Sequence, residues 1–194
     1  MMRYLCLFTL LLCSACIQLG NEPHPTRYYL LEPVADVRSA ANDQPLQLEL
    51  SPIIFPSYLD RPQIVTHNIN NSIQIAEYDR WAEPLSENLT RTLQENLRNQ
   101  LPNVRISSAP WNQSSAPVYL LQLTVNRFDG VLGQQTAVDI RWTLVNYKTN
   151  TEIARRHFRA QLPIDENHRG LVDGLNSTLA ELSQEIASML TTQQ

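Results

Sequence analysis

The sequence predicts an α+β fold: a single domain in which two amphipathic helices pack on one face of a largely antiparallel sheet. Apolar and polar residues alternate over residues 121–125, 138–144 and 154–162, which is the period of a strand with one buried and one wet face. Leucine recurs every fourth residue from 85 to 97, and apolar residues step by three and four over 172–189, which indicates two amphipathic helices. Both helices need an apolar surface to cover, and the buried face of the sheet supplies it.

The first half of the domain begins with predicted strands at residues 28–32 and 46–50, the second of which alternates as LQLEL. Residues 64–69 and 73–76 are predicted to pair as a hairpin. The sequence Asn-Asn-Ser at 70–72 separates them, and Asn tolerates the positive φ that a tight turn demands.

The first helix is predicted over residues 84–100. Pro84 suits its first turn, where the missing N–H has no helical partner to lose. A strand is predicted at 104–107, and turns are predicted at Asp-Gly 129–130 and Lys-Thr-Asn 148–150 in the second half of the chain.

Residues 1–15 are predicted to be a lipoprotein signal peptide. Arg3 precedes an apolar run that is much shorter than the roughly 20 residues of a membrane-spanning helix. Ser14 and Ala15 before Cys16 resemble a bacterial lipobox, in which the chain is cleaved before the cysteine and the cysteine is acylated; Cys13 departs from the Leu usual there. An ordinary cleaved signal followed by a chance cysteine is the alternative.

Cysteine usage agrees with a lipid anchor. Cys6, Cys13 and Cys16 are the only cysteines, so the mature chain keeps Cys16 alone, without a disulfide partner. Residues 16–27 are then the acylated cysteine and a short polar tether to a single periplasmic domain at 28–194. Ile17 rather than Asp follows the cysteine, which favours transfer to the outer membrane, on its periplasmic face.

Composition excludes several classes of function. With 15 basic and 19 acidic residues the formal net charge is −4, so there is no basic excess for binding nucleic acid. Lys148 is the only lysine and no glycine-rich loop precedes it, which excludes a P-loop. The chain has no G-x-S-x-G motif, and its histidines lack metal-ligand spacing. The sequence therefore predicts no catalytic site, no cofactor and no metal.

Two clusters have alternative interpretations. The stretch at 165–168, Asp-Glu-Asn-His, is either an acid–base or metal site, or a set of acids that meets the dipole at the N-terminus of the last helix. Arg155, His157 and Arg159 alternate outward on the last predicted strand, and they form either a site for an anionic partner or a solvated sheet face.

The densest stretch of the chain is PSYLDRPQIV, residues 56–65, and its Asp-Arg pair recurs in YDRWAEPL, residues 78–85. Its prolines favour a stiff corner of the fold. The alternative is a partner-docking surface, and both interpretations can hold if Tyr58 and Leu59 point outward, since exposed aromatic residues are typical interface anchors. The candidate residues for either role are Tyr58, Leu59, Asp60, Arg61, Pro62, Asp79, Arg80 and Trp81.

We further predict that these two Asp-Arg corners are neighbours that cross-pair. Arg61 would bind Asp79, or Arg80 would bind Asp60, because a guanidinium forms a bidentate pair with a carboxylate. Trp81 is expected to pack at the same corner.

The motifs FPSYLDRPQIV and YDRWAEPL, the first strand YYLL and the lipobox at Cys16 resemble the PqiC/YmbA family, the ABC-type transport auxiliary lipoproteins. The resemblance implies an outer-membrane lipoprotein that faces the periplasm and is not an enzyme. It also implies a partner, an inner-membrane-anchored MCE-domain protein of an envelope-spanning lipid-transport system that maintains membrane integrity. Homo-oligomeric rings that receive the end of the MCE tube are implied as well.

Three functions are therefore in competition. The first is an adaptor that docks the MCE-domain protein to the outer membrane. The second is a lipoprotein that itself binds a lipid or another amphiphile between helices and sheet. The third is a periplasmic hydrolase built on Asp165, Glu166 and His168.

Overall fold

The computed structural model describes residues 24–34, 46–70, 72–101, 103–108 and 118–192. The predicted signal peptide, Cys16 and the tether up to residue 23 lie outside these residues and stay predictions. Within the described ranges, no helix combines the length and the apolar character needed to cross a bilayer.

The described chain forms strands and two long helices in the order that the sequence patterns predict. Helix α1 spans Leu85–Gln100, helix α2 spans His168–Thr191, and a short 3-10 turn covers Ser57–Leu59. The strands are β1 (Arg27–Tyr29), β2 (Leu46–Leu50), β3 (Gln63–His67), β4 (Ile73–Trp81), β5 (Val104–Ser108), β6 (Tyr119–Val131), β7 (Gln135–Asn146) and β8 (Thr151–Ala160).

These strands are divided between two sheets, where the sequence predicted one. A three-stranded sheet has the order β1-β4-β3, and a five-stranded sheet has the order β5-β2-β6-β7-β8. The pairs β3–β4, β6–β7 and β7–β8 are antiparallel, whereas β1–β4, β2–β5 and β2–β6 are parallel. Alternation along a strand reports which face is buried, but not which strand lies beside it. The predicted α+β single domain, with two helices and mostly antiparallel strands, is confirmed.

Both helices bury the apolar stripes that the sequence predicted. Leu89, Leu93 and Leu97 of α1 are fully buried, and Leu175, Leu182 and Ile186 of α2 are as well. They form one core with the inner face of the five-stranded sheet, where Leu121, Ile140, Trp142 and Leu144 lie. Burying apolar area of this kind stabilises a domain by roughly 25 cal/mol per Å².

The turns are in part where the sequence placed them. Asn68 Oδ1 accepts hydrogen bonds from the N–H groups of Asn70 and Ser72, which closes the predicted hairpin between β3 and β4. Asn150, in the predicted second turn, has a positive φ of 53°. The turn predicted at 129–130 is wrong, because Asp129 and Gly130 lie inside β6 and the chain reverses near Gly133, whose φ is 72°.

Candidate functional site

The motif at 56–65 folds as a compact corner. Within the 3-10 turn the N–H of Leu59 donates to the carbonyl of Pro56 at 3.0 Å, and the N–H of Asp60 donates to that of Ser57 at 3.2 Å. Leu59 is only 3% exposed and belongs to the core. The docking interpretation requires Leu59 to point outward, but Leu59 is buried. Its position therefore favours the interpretation of this motif as a stiff corner of the fold.

Tyr58 contacts a buried carboxylate that the sequence analysis did not single out. Its hydroxyl donates to Oδ2 of Asp129 at 2.8 Å, and Arg127 donates to Oδ1 from Nη2 at 2.9 Å and from Nε at 3.1 Å. The ring of His67 lies edge-on to that of Tyr58, and its Nδ1 is 3.2 Å from Oδ1 without hydrogen-bond geometry. Burial, reinforced by the charge of Asp129, raises the pKa of Tyr58 well above its usual value. Tyr58 therefore remains a proton donor at physiological pH.

The two Asp-Arg motifs are neighbours, as predicted. Gln63 lies opposite Arg80 in the β3–β4 pair, and the N–H of Trp81 donates to the carbonyl of Pro62 at 2.7 Å. Trp81 is 5% exposed, so it packs at this corner as expected.

The predicted cross-pairing between these motifs is wrong. Among the described residues, neither Arg61 nor Arg80 forms an ion pair, and the Nε of each is buried without a hydrogen-bond partner. Asp79 and Arg80 are adjacent in β4, and successive side chains of a strand point to opposite faces. The carboxylate of Asp79 therefore lies on the face opposite Arg80, where Arg27 and Tyr29 bind it.

Asp79 instead joins three elements of the fold. Arg27 of β1 donates to its carboxylate from Nη2 at 2.8 Å, and the hydroxyl of Tyr29 donates to Oδ1 at 2.8 Å. Nδ1 of His168, the first residue of α2, lies 3.1 Å from Oδ2. Register explains the first contact, because Arg27 is the residue directly opposite Asp79 in the parallel β1–β4 pair.

The contacts within this cluster shift the pKa values of Asp79 and His168. Burial alone would raise the pKa of Asp79, but the hydrogen bonds from Arg27 and Tyr29, together with the positive charges of protonated His168 and of Arg27, outweigh burial and hold that pKa below its usual value. Burial lowers the pKa of His168, although Asp79 partly opposes this. At neutral pH the cluster therefore contains an ionised carboxylate beside a neutral imidazole.

The stretch at 165–168 does not come together as a hydrolase site. His168 is turned toward Asp79, and Glu166 leans over Gly133, where an added Cβ would meet its Cγ at 2.7 Å. Asn167 caps α2 by accepting the N–H of Gly170 at 2.8 Å. The described part of the chain holds no group of three or more His, Cys, Asp or Glu placed to bind a metal.

The segment after β1 is held by polar side chains of α1 rather than by another strand. The N–H of Leu31 donates to Oδ1 of Asn88 at 2.6 Å, and its carbonyl accepts from Thr92 at 3.2 Å. The N–H of Val34 donates to Oδ1 of Asn96 at 2.8 Å. Asn88, Thr92 and Asn96 are fully buried, so these bonds satisfy backbone groups that water cannot reach.

Helix α2 contributes one further bond to this segment, from the N–H of Glu32 to Oδ1 of Asn176 at 3.1 Å. The N-terminal segment is thus fastened to both helices. These contacts were not predicted, although the sequence contains a signal for them: Asn88, Thr92 and Asn96 recur every fourth residue, each just before a leucine of the stripe.

The outer face of the five-stranded sheet carries a basic groove of about 550 Å³. Its lining includes Arg141 of β7, Arg155 and Arg156 of β8, and Ile54, which is 64% exposed. Arg141 forms no ion pair with any described residue, whereas Arg155 forms one with Glu152.

The rest of the predicted outward stripe has a partner within the sheet. Asp139 accepts from Nε2 of His157 at 2.8 Å and from Nε of Arg159 at 3.0 Å, and Asn126 donates to it at 2.6 Å. Although burial opposes the shift, these hydrogen bonds lower the pKa of Asp139 to about 2. Within the described residues, the basic side chains of the groove without an ion pair are therefore Arg141 and Arg156, not the predicted stripe.

Comparison with known proteins assigns the chain to a family. A model of the family described as the ABC-type transport auxiliary lipoprotein component matches residues 28–187. The chain belongs to this family. The match spans both Asp-Arg motifs, the buried polar residues Asn88, Thr92 and Asn96 of α1, and strands of both sheets. It confirms the family resemblance that the motifs suggested.

Relatives of this transport auxiliary lipoprotein include the intermembrane transport lipoprotein PqiC of Escherichia coli, which is 28% identical over 165 residues, or 82% of this chain and 85% of that protein. A solved structure of an uncharacterised protein superposes with a TM-score of 0.71 at 25% identity, covering 85% of this chain and 98% of that one. A protein from Xanthomonas campestris superposes with a TM-score of 0.70 at 17% identity, covering 86% and 97%. The last of these shows the shared fold alone.

Proposed function

We propose that this chain is a non-enzymatic outer-membrane lipoprotein of an MCE-type intermembrane lipid-transport system that maintains envelope integrity. It would be anchored through acylated Cys16 on the periplasmic face and would dock the inner-membrane-anchored MCE-domain protein to the outer membrane. The family match supports a transport auxiliary lipoprotein, and similarity to an intermembrane transport lipoprotein supports the kind of system.

The structural observation that carries the proposal is the fastening of the N-terminal segment. The tether enters the domain at β1, where Arg27 and Tyr29 bind buried Asp79. The following residues are then held by Asn88 and Asn96 of α1 and by Asn176 of α2. A pull on the anchor is therefore distributed over β4 and both helices, which suits a protein that holds a conduit at a membrane.

The outer face of the five-stranded sheet is the surface that we assign to the MCE-domain partner. Tyr58 and Leu59 are occupied by internal contacts, whereas Arg141, Arg155 and Arg156 line an accessible groove. Charge complementarity favours an acidic segment of the partner, because desolvated Arg side chains pair well with carboxylates.

In-cell photo-crosslinking of the full-length lipoprotein tests this proposal. A crosslinker at Arg141 should capture the MCE-domain protein, identified by mass spectrometry of the purified envelope fraction. A crosslinker at Asp173, which is exposed on α2, is the matched control and should not capture it. Equal capture at both positions would show that the groove is not the docking surface. If neither position captured an MCE-domain protein, the adaptor function would be contradicted.

Self-assembly is part of the same proposal and has a separate readout. We expect ladders of the chain crosslinked to itself, as in a homo-oligomeric ring. A chain that stays monomeric in chemical crosslinking of intact envelopes would contradict the ring but not the anchor.

Direct binding of a lipid or other amphiphile is the second candidate function. The space between helices and sheet is filled by core side chains, but an apolar groove of about 370 Å³ lies between the helices. Val34, Leu101, Ala180 and Ala187 are among its lining residues. Native mass spectrometry of the protein extracted from envelopes distinguishes the two functions: a co-purifying lipid lost on Ala180→Glu substitution would support binding, and its absence would support the adaptor.

A further inference from the structure

The tip of the β3–β4 hairpin exposes a group of large apolar side chains. Ile69 is 77% exposed, Ile73 is 47% exposed and Ile75 is 50% exposed. Ile73 and Ile75 are two residues apart on β4 and so share one face of the strand. Contiguous exposed apolar side chains mark interaction sites in soluble domains.

The N-terminal segment runs toward this tip. Strand β1 pairs with β4 in parallel, with Arg27 opposite Asp79 and Tyr29 opposite Trp81. Followed backward from Arg27, the chain therefore heads toward the beginning of β4, which is the hairpin end. The ring of His24 lies 5.5 Å from that of Tyr78, so the segment keeps to β4 at least that far.

The length of the tether allows the anchor to reach the same tip. Ile73 lies five residues before Tyr78 in β4, a distance of about 17 Å at roughly 3.3 Å per residue. Cys16 lies eight residues before His24, and that length of chain spans at most about 28 Å. A cysteine held in the bilayer interface can therefore lie no more than about 10 Å beyond the tip when the chain continues along β4.

We propose that the hairpin tip formed by Ile69, Ile73 and Ile75 contacts the lipid surface that holds the anchor. The apolar side chains enter the interface between headgroups and acyl chains. Asn68, Asn70 and Ser72 beside them are uncharged and suit the headgroup layer. The anchor and the tip then form two contacts with the membrane, which fix the orientation of the domain. This inference rests on the lipid anchor of the proposed function.

Fluorescence depth measurement tests the proposal on the full-length acylated protein in phosphatidylethanolamine–phosphatidylglycerol vesicles. An Ile69→Cys variant is labelled with an environment-sensitive thiol dye, and quenching by brominated acyl chains is measured. The matched control is Ile54→Cys, because Ile54 is comparably exposed at 64% but lies on the outer face of the other sheet. We expect a blue shift and a loss of emission at position 69, and neither at position 54.

Three results would overturn the proposal. Emission at position 69 that is unshifted and unquenched would show that the tip stays in water. Equal quenching at positions 69 and 54 would show unspecific adsorption. A blue shift at position 69 that grows with protein concentration in detergent-solubilised protein without vesicles would assign the tip to a second copy of the chain.

The unmodified protein distinguishes failure of the tip from failure of the anchor. Acylated Cys16 has no free thiol, and the mature chain has no other cysteine, so the parent should take up no dye. Labelling of the parent would refute the anchor and, with it, the proposal. An unlabelled parent together with a water-exposed position 69 would refute the tip contact alone.

Discussion

Replacing Asn88 by Ala removes the side chain that completes the hydrogen bonding of Leu31. The N–H of Leu31 donates to Oδ1 of Asn88 at 2.6 Å, whereas its carbonyl also accepts from Thr92 and keeps that bond in the variant. The substitution therefore leaves the buried N–H of Leu31 without an acceptor, since Leu31 is 1% exposed and Asn88 is not exposed at all.

A buried donor left without a partner costs about 1–3 kcal/mol. Alanine returns roughly 0.5 kcal/mol, because it has a higher helix propensity than Asn. We therefore expect Asn88→Ala to lower the free energy of unfolding by about 0.5–2.5 kcal/mol. The N-terminal segment should also loosen locally, which would be observed as faster hydrogen exchange at the Leu31 amide.

Urea unfolding followed by tryptophan fluorescence measures the first effect, and amide hydrogen exchange measures the second. Thr90→Ala is the matched control, because the hydroxyl of Thr90 donates to the carbonyl of Ser86 in its own helix and has no other hydrogen bond to a described residue. We expect the control to change stability by less than about 0.5 kcal/mol. An Asn88→Ala protein with unchanged stability and unchanged exchange at Leu31 would refute the role of this side chain in fastening the segment.

The remaining predictions concern the two buried carboxylates and the sheet face. Tyr58→Phe should lower the free energy of unfolding by about 1–2 kcal/mol, because Asp129 loses a donor; an unchanged urea midpoint would contradict this. The folded-state pKa of Asp139 is about 2, below its ordinary 3.8, so its stabilisation is present above about pH 4 and is lost as pH falls toward 2. Asp139→Asn should flatten the stability profile in that window, and a profile parallel to that of the parent would count against the assignment. Arg61→Ala and Asp79→Ala should destabilise independently, with a coupling energy under about 0.5 kcal/mol in a double-mutant cycle; a larger coupling would restore the cross-pair.

The spacing of apolar residues along the chain predicted most of the secondary structure. The stripe at Leu85, Leu89, Leu93 and Leu97 lies on α1 and is buried, and the alternation at 138–144 falls inside β7. These predictions succeed because, within one helix or strand, the spacing of residues along the chain decides which side chains share a face. The hairpin at Asn68–Ser72 succeeds for a similar local reason, since the turn is closed by bonds between residues at most four apart.

The partners of the charged side chains could not be predicted in the same way. The sequence shows Asp60, Arg61, Asp79 and Arg80 as two matching pairs, but Asp79 is bound by Arg27 and Tyr29, about fifty residues before it. Asp129 was assigned to a turn and proved to be a buried acceptor for Tyr58. An ion pair depends on strand register and on the face to which each side chain points, and neither is local to the chain.

By itself the sequence determined the α+β class, the two helices, the hairpin, and the motifs that carry the family resemblance, because each depends on residues close together along the chain. Only the tertiary structure decided that the strands form two sheets, that Leu59 is buried, and that Asn88 and Asn96 hold the N-terminal segment against α1. It also decided that β1 pairs with β4 in parallel, which places Arg27 opposite Asp79. These features join residues far apart in sequence, and their geometry is set by packing and by strand pairing rather than by local preference.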